Sequence, residues 1–205
     1  MKFNCLWRVL LAIFPLDIVS AEDPLAGVTQ GYFDGKRPFD AVQLVGERGH
    51  ILIPESGKIE SQWVFKAGVL TASPKWDSLV TPDHYQDFRM HVEFNVNSVV
   101  DVDPEKNGNS GIYIQKRYEL QILNSHGVSE GDYKASYAGS LYRQKKPDKL
   151  VSRPAGEWQS YDIIFEAPEF DLNGKKVKSG YFTVFHNGVL IHNHVEILGT
   201  TENVG

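Results

Sequence analysis

Short segments in which apolar and polar residues alternate follow one another along most of the chain. In the clearest of them, 87–96 (DFRMHVEFNV), every second residue is apolar. A period of two is typical of a β-strand with one buried face, whereas a helix repeats its apolar positions every three or four residues. Similar segments lie at 50–56, 63–73, 111–115, 118–123, 138–144, 158–167 and 181–197. Since helical periodicity is nearly absent, the pattern predicts an all-β fold.

Turn signals between these segments indicate how the strands connect. Asn187–Gly188 divides the last segment in two and favours a tight two-residue hairpin turn. Many short strands joined in this way pack as two antiparallel sheets, in a sandwich or jelly roll. We therefore expect a single domain of this kind over residues 22–205.

The first 21 residues have a different composition from the rest of the chain. Lys2 and Arg8 accompany an apolar run that ends in Val19-Ser20-Ala21, and small residues in this spacing are typical of a signal-peptidase site. The run is broken and falls short of the ~20 apolar residues that a bilayer span needs. We predict a signal peptide over 1–21, a secreted or periplasmic protein and no membrane span; the alternative is a retained N-terminal tail.

Composition and charge exclude several classes of function. The net charge of −5 disfavours nucleic acid as a partner, because phosphate contacts need a basic surface. No phosphate loop or dinucleotide fingerprint occurs, so we expect neither a nucleotide nor a flavin. The single cysteine, Cys5, lies inside the predicted signal peptide, so the exported chain would have no disulfide and no thiolate nucleophile.

The polar positions of the central strands have an unusual composition. They are rich in Tyr, Gln, Arg, His and Glu, where a solvated face would more often carry Lys, Thr and Ser. Sugar rings stack on aromatic side chains, and their hydroxyls pair with Gln, Asn, Arg and Glu. The composition therefore favours a concave sheet that binds carbohydrate.

Glu119 is the one carboxylate in the strand 118–123 (YELQIL), and Gln121 shares its face. Retaining glycosidases need two carboxylates about 5 Å apart, and an amide can neither attack a sugar carbon nor carry a proton. One exposed general base instead suits removal of a C–H proton beside a ketone, followed by loss of a leaving group. We therefore predict that Glu119 is an exposed base without a carboxylate partner.

Several alternatives to this interpretation stay open. The enolate oxygen formed in such a reaction needs a donor or a metal, and Arg117, His91 or Gln121 could serve. Glu93 could supply a second carboxylate from another strand. Alternatively, Glu119 has a structural role as the ion-pair partner of Arg89 or Arg117.

Two patterns could hold a metal ion. The loop 101–109 (DVDPEKNGN) contains the oxygen donors Asp101, Asp103, Asn107 and Asn109, which suit calcium, although a turn-rich insertion is the favoured interpretation. His192 and His194 lie two residues apart and would share one face of a strand, although a structural role is again favoured.

Four segments together resemble a known family: 109–127 (NSGIYIQKRYELQILNSHG), 138–144 (AGSLYRQ), 154–171 (PAGEWQSYDIIFEAPEFD) and 183–199 (TVFHNGVLIHNHVEILG). The widespread bacterial family that they resemble is described as 3-keto-glycoside lyases or hydrolases, also called 3-keto-disaccharide hydrolases. The resemblance implies a concanavalin A-like jelly roll. It also implies elimination from glycosides oxidised at C3, which gives a 2-hydroxy-3-keto-glucal, and hydration of that product.

The resemblance also supplies candidate residues. Transferred by position, the sugar-side residues are Asn109, Tyr113, Gln115, Arg117, Glu119 and Gln121, and Tyr142 lies on a short strand that could line the same face. The family leaves room for a divalent metal without indicating its ligands. Its members usually continue into further strands that end in a motif like LQDHG…RNIW, so the sequence, which stops at Gly205, predicts a domain that lacks these C-terminal strands. A non-catalytic carbohydrate-binding module on the same scaffold is the alternative function.

Overall fold

The computed structural model describes residues 41–57, 63–72, 77–97 and 106–201, together with the backbone of 5–10. None of these residues lies in an α-helix. The strands, in chain order, are β1 Cys5–Leu10, β2 Val45–Gly46, β3 Gly49–His50, β4 Ile53–Pro54, β5 Val64–Lys66, β6 Val69–Thr71, β7 Leu79–Val80, β8 Phe88–Val96, β9 Ser110–Ile114, β10 Tyr118–Ile122, β11 Trp158–Glu166, β12 Glu169–Phe170, β13 Lys176–Lys178, β14 Tyr181–His186 and β15 Val189–Glu196. The predicted all-β fold is confirmed.

Seven strands form one antiparallel sheet in the order β15–β14–β11–β8–β1–β6–β5, here called the large sheet. A second layer consists of β9, β10 and the segment 139–142, here called the small sheet. Gln121 N donates to Ser140 O, and Tyr142 N donates to Glu119 O, each over 3.0 Å, so this segment continues the ladder on the far side of β10. The hairpins β2–β3 and β12–β13 and the β4–β7 pair complete the described strands.

The core lies between the large and small sheets, and the strand alternation explains why. Leu120 and Ile122 of β10 are fully buried in the same apolar cluster as Phe94 of β8. The ring of Tyr161 of β11 packs at a tilt of 40° against Phe94, with 4.7 Å between ring centres. Its hydroxyl donates to Gln121 O over 2.9 Å, which satisfies a buried phenol and connects the two layers. Two antiparallel sheets packed in this way form the jelly-roll sandwich that the alternation predicted.

Most strand predictions are confirmed within one or two residues, and the departures occur in short elements. The Asn187–Gly188 turn lies where it was predicted, with Asn187 at φ 52°. The segment 50–56 divides between two short strands, and 138–144 forms only isolated bridges at Leu141. The β12–β13 hairpin, inserted between two strands of the large sheet, was missed because its strands are two and three residues long.

Two predictions fall largely outside the described residues. Cys5–Leu10, part of the predicted signal peptide, forms β1 between β8 and β6; the rest of 1–21 is outside the described residues, and export stays a prediction. Of the proposed calcium loop, Asp101 and Asp103 are likewise outside them. A search of the described part of the chain for helices long and apolar enough to cross a bilayer returns none.

Candidate active site

The centre of the candidate site is a pair of side chains on the outer face of the β9–β10 hairpin. Tyr113 and Glu119 are directly opposite each other in the antiparallel register, so their side chains leave the sheet side by side. The Tyr113 hydroxyl donates to Glu119 Oε2 over 2.8 Å. Tyr113 is 46% exposed, whereas Glu119 is only 6% exposed. The carboxylate therefore lies beneath a tyrosine whose ring reaches solvent.

Burial of Glu119 corrects the prediction of an exposed base. The strand alternation placed Glu119 correctly on the face opposite the core, but that face is itself covered. Leu123, which follows Gln121 on the same face, packs against Tyr133, Tyr137 and Ala138 in a second apolar cluster. The segment that follows β10 therefore folds back over the outer face, which a pattern of alternation along one strand does not reveal.

Gly111 makes the space that the carboxylate occupies. A Cβ atom added at Gly111 would lie 2.3 Å from Glu119 Oε1, which is far closer than any real contact. Gly111 faces Gln121 in the register, two pairs along from Tyr113 and Glu119 and therefore on the same face. Sequence reasoning assigned no role to Gly111, although an isolated glycine inside a strand is a signal of close approach by another group.

Burial and the hydrogen bond set the protonation behaviour of the pair. Burial raises the pKa of Glu119 above its ordinary value, and the hydrogen bond from Tyr113 partly offsets this. The pKa of Tyr113 is raised mainly by burial. The hydrogen bond to Glu119 and the charges of Glu119 and nearby Tyr142 raise it further. Tyr113 is therefore a neutral phenol that donates to the carboxylate.

No second carboxylate among the described residues contributes to the pKa of Glu119. Neither Arg89 nor Arg117 forms an ion pair with it in the part of the chain that the structure describes. The alternative of a structural pair with an arginine is therefore wrong for these residues.

The backbone around Glu119 is fixed from both sides. Glu119 N donates to the hydroxyl of Thr201 over 3.0 Å, and Thr201 N donates to Arg117 O over 2.7 Å. On the other side, Glu119 O accepts from Tyr142 N. Tyr142 is half-buried, and the Arg143 guanidinium lies 5.3 Å from the centre of its ring. Tyr142 thus lies beside Glu119, and its contact with a sugar stays a prediction. Thr201 was missed because its contact spans 82 residues.

Gln121 shares the face of Glu119 but does not reach solvent. It is 2% exposed, and its amide nitrogen donates to Ser136 O over 3.1 Å. Its amide oxygen Oε1 is buried without a partner among the described residues. The predicted sugar contact of Gln121 would therefore need the covering segment to move.

The remaining hairpin candidates lie nearer the ends of the strands. Asn109 is exposed immediately before β9, and Gln115 and Arg117 are exposed at the β9–β10 turn. Residues 115–117 form this turn, in which Gln115 and Lys116 have φ of 52° and 56°. Positive φ is uncommon for such residues and costs of the order of 1 kcal/mol each. Lys116 Nζ is 2.8 Å from Glu55 Oε1, which ties this turn to the segment after β4.

His91 and Glu93 lie on the opposite side of the molecule. Val92 between them is buried in the core, so both point from the outer face of the large sheet, and the core separates them from Glu119. His91 Nδ1 is 2.5 Å from Asp162 Oδ1, its register partner on β11. The sequence interpretation needed His91 to lie near Glu119. The structure does not bring these two residues together, so this prediction is wrong. Glu93 is equally unable to act as the second carboxylate.

The predicted histidine pair is also separated. His192 is fully buried, and its Nε2 donates to Gly139 O over 2.7 Å. His194 has φ 46° beside a register shift, stacks on Tyr181 and lies 3.1 Å from Glu166 Oε1. Because of the register shift and these different partners, His192 and His194 do not share one face, and the predicted metal pair is wrong. No cluster of three His, Cys, Asp or Glu that could hold a metal ion occurs in the described ranges.

Comparison with known proteins identifies the family. The sequence profile of the 3-keto-alpha-glucoside-1,2-lyase-like domain matches residues 49–204. The fold is similar to a crystal structure of a proposed glycosyl hydrolase from Parabacteroides distasonis ATCC 8503, with a TM-score of 0.75 and 35% sequence identity. That similarity covers 82% of this chain and 70% of the other. No curated protein matches the sequence.

Proposed function

The chain belongs to the 3-keto-alpha-glucoside-1,2-lyase-like domain family, and from this premise we propose that it cleaves glycosides whose sugar carries a ketone at C3. The resemblance seen in the sequence motifs is confirmed by the family match, and a glycosidase-like activity follows from the family and from its structural neighbour. The 3-keto substrate and the elimination mechanism are the proposal. Secretion, or residence in the periplasm, belongs to the same proposal.

The proposed reaction starts with loss of the proton at C2, which the neighbouring ketone acidifies. The C2–H electron pair forms a C1=C2 double bond while the C1–O bond to the aglycone breaks. The products are a 2-hydroxy-3-keto-glucal and the aglycone, which takes up a proton. Addition of water across C1=C2, with hydroxide at C1 and a proton at C2, then gives the free 3-keto sugar.

The buried position of Glu119 requires a relay rather than direct contact with C2. The exposed Tyr113 oxygen takes the C2 proton while its own proton moves along the 2.8 Å hydrogen bond to Glu119 Oε2. The reverse transfer returns a proton to the departing aglycone. Positioned acid–base groups of this kind typically contribute about 10²–10⁴-fold to the rate. The raised pKa of Glu119 makes it a stronger base than an ordinary carboxylate.

One observation carries the proposal: a single buried carboxylate is hydrogen-bonded to a half-exposed phenol, with no second carboxylate acting on it among the described residues. Retaining hydrolysis needs a nucleophile and an acid/base about 5–5.5 Å apart. An elimination needs only one base and one path for the proton. The Tyr113–Glu119 pair supplies both.

A chromogenic 3-keto-glucoside tests the proposal. We expect aglycone release by the wild-type chain, loss of release in Glu119→Gln, and no turnover of the unoxidised glucoside. Turnover of the unoxidised glucoside would contradict the proposal and favour an ordinary glycosidase. Parallel assays with and without a chelator show whether a metal contributes.

The exposed ring of Tyr113 also favours a second candidate, a carbohydrate-binding module. A half-exposed aromatic ring on a sheet is a platform for a sugar face even without catalysis. Sugar binding by calorimetry without aglycone release from the 3-keto-glucoside would support this alternative.

A further inference from the structure

A cleft opens at the end of the sandwich, next to the turn of the β9–β10 hairpin. Its volume is about 570 Å³, which is within the range of small-molecule sites. Three walls enclose it: the β9–β10 turn, the β12–β13 hairpin and the segment after β15. The lining residues are Gln115, Arg117, Tyr118, Pro168, Phe170, Lys176, Ile197, Leu198, Gly199 and Thr200.

The lining combines apolar walls with positive charge. Phe170 and Leu198 are 56% and 77% exposed, although both are large apolar side chains that would gain from being covered. Arg117 and Lys176 contribute two cations, and no Asp or Glu lines the cleft among the residues that the structure describes. Lys176 is partly neutralised by Glu196 at 3.5 Å, whereas Arg117 has no side-chain partner within the described residues.

The cleft adjoins the Tyr113–Glu119 pair. Gln115 and Arg117 lie two residues beyond Tyr113 and Glu119 on the same hairpin, and two residues of strand span about 7 Å. Thr200 of the cleft precedes Thr201, whose hydroxyl accepts from Glu119 N. A substrate whose sugar contacts Tyr113 would therefore extend its aglycone toward Arg117. A benzene ring with a para substituent has a length similar to that separation.

We propose that this cleft binds the leaving group of the substrate and prefers an aromatic ring that carries an anion. The ring packs against Phe170 and Leu198, and the anion pairs with the Arg117 guanidinium, whose planar fork matches a carboxylate. The substrate class is thus 3-keto-glycosides of anionic phenols, such as 4-hydroxybenzoate. The assignment of the cleft as a leaving-group site rests on the proposed function; its affinity for an aromatic anion does not.

Two substrates that differ only in charge test the preference. The 3-keto-glucosides of 4-hydroxybenzoate and of 4-hydroxybenzamide are compared by kcat/KM in the wild type and in Arg117→Gln. The two leaving groups differ in intrinsic reactivity, but this difference is the same in both proteins. The readout is therefore the benzoate/benzamide ratio of kcat/KM, compared between wild type and variant. We expect Arg117→Gln to lower the benzoate/benzamide ratio about tenfold, and Lys175→Gln, an exposed lysine outside the cleft, to leave it unchanged.

An equal ratio in wild type and Arg117→Gln, with turnover intact, would overturn this inference and leave the proposed function standing. Absence of turnover with either substrate would instead count against the proposed function. In that case a binding measurement tests whether the cleft takes an aromatic anion. Free 4-hydroxybenzoate is titrated into wild type and Arg117→Gln and followed by NMR. Saturable binding that exceeds that of 4-hydroxybenzamide and weakens in the variant supports an aromatic-anion site; no saturable binding, or equal binding of both ligands, refutes it.

Discussion

Two hydrogen-bonded pairs on opposite faces of the sandwich have the same local design. Tyr113 and Glu119 face each other across β9 and β10, and His91 and Asp162 face each other across β8 and β11. In each pair an aromatic side chain is hydrogen-bonded to a carboxylate. The distance is 2.8 Å from the Tyr113 hydroxyl to Glu119 and 2.5 Å from His91 Nδ1 to Asp162. Each also lies on the face of its strand that points away from the core.

The donor and its surroundings make the two pairs chemically different. Burial alone lowers the pKa of His91, but the hydrogen bond and charge of Asp162, with a smaller effect of Glu93, raise it above the ordinary value. The Asp162 carboxylate therefore faces a donor whose cationic form it stabilises. Glu119 is instead matched by a neutral phenol and buried, so it retains the capacity to accept a proton. Cross-strand geometry alone does not identify a base.

The sharpest test exchanges each carboxylate for its amide. We expect Glu119→Gln to lower kcat/KM on a 3-keto-glucoside by about 10²–10⁴-fold, because the terminal proton acceptor is lost. Asp162→Asn should change it by less than about twofold, since the core separates Asp162 from the site. Steady-state kinetics with both variants checks this. A large loss in Asp162→Asn would show that the two faces are coupled.

Removal of the phenol tests the relay. Tyr113→Phe should lower kcat/KM about 10²-fold and move the acid limb of its pH profile upward. The upward shift is expected because the hydrogen bond from Tyr113 holds the pKa of Glu119 below the value that burial alone would give. The profile is measured from pH 4 to 9. An unmoved acid limb would mean that Glu119 is not the group that titrates.

A methyl group at Gly111 tests whether the carboxylate needs its present position. Gly111→Ala should displace Glu119 Oε1, which lies 2.3 Å from the added Cβ, and lower kcat/KM about 10–100-fold. Gly131→Ala is the matched control, because the nearest atom to its added Cβ is 4.0 Å away. Thermal unfolding of both variants separates displacement from misfolding. Wild-type activity in a folded Gly111→Ala would contradict the proposed geometry.

The pH dependence of stability extends the comparison to buried histidines. Burial lowers the pKa of His192 to about 4 and that of His186 to about 3, so below the ordinary value of about 6.5 only the unfolded state takes up these protons. Stability should therefore fall as the pH decreases from about 6.5 to 4, by about 1.4 kcal/mol for each unit of pKa difference per histidine. Urea unfolding measures this slope, and His192→Gln should reduce it.

His91 contributes a pH dependence of stability with the opposite sign. Its raised pKa contributes stability that is present below about pH 6.5 and is lost as the pH rises through the folded-state pKa. Asp162→Asn should remove this contribution, with the smallest effect of the five tests, of the order of 1 kcal/mol. An unchanged slope above pH 6.5 in Asp162→Asn would show that the pair contributes nothing to stability.

The sequence by itself determined which residues share a strand face. Alternation placed Glu119 away from the core, and Asn187–Gly188 positioned the last hairpin, because both signals are local consequences of backbone geometry. The family motifs are likewise short continuous segments of the chain, such as 109–127, which contains the β9–β10 hairpin. These statements need only the residue and its near neighbours in the chain.

Only the tertiary structure decided what covers each face and which residues meet. The contact of Glu119 with Thr201 spans 82 residues, and that of His91 with Asp162 spans 71. Such contacts depend on sheet order and on the return of the segment after β10, neither of which leaves a periodic trace along the chain. For this reason the sequence predicted an exposed Glu119 close to His91, whereas the folded chain buries Glu119 and places the core between them.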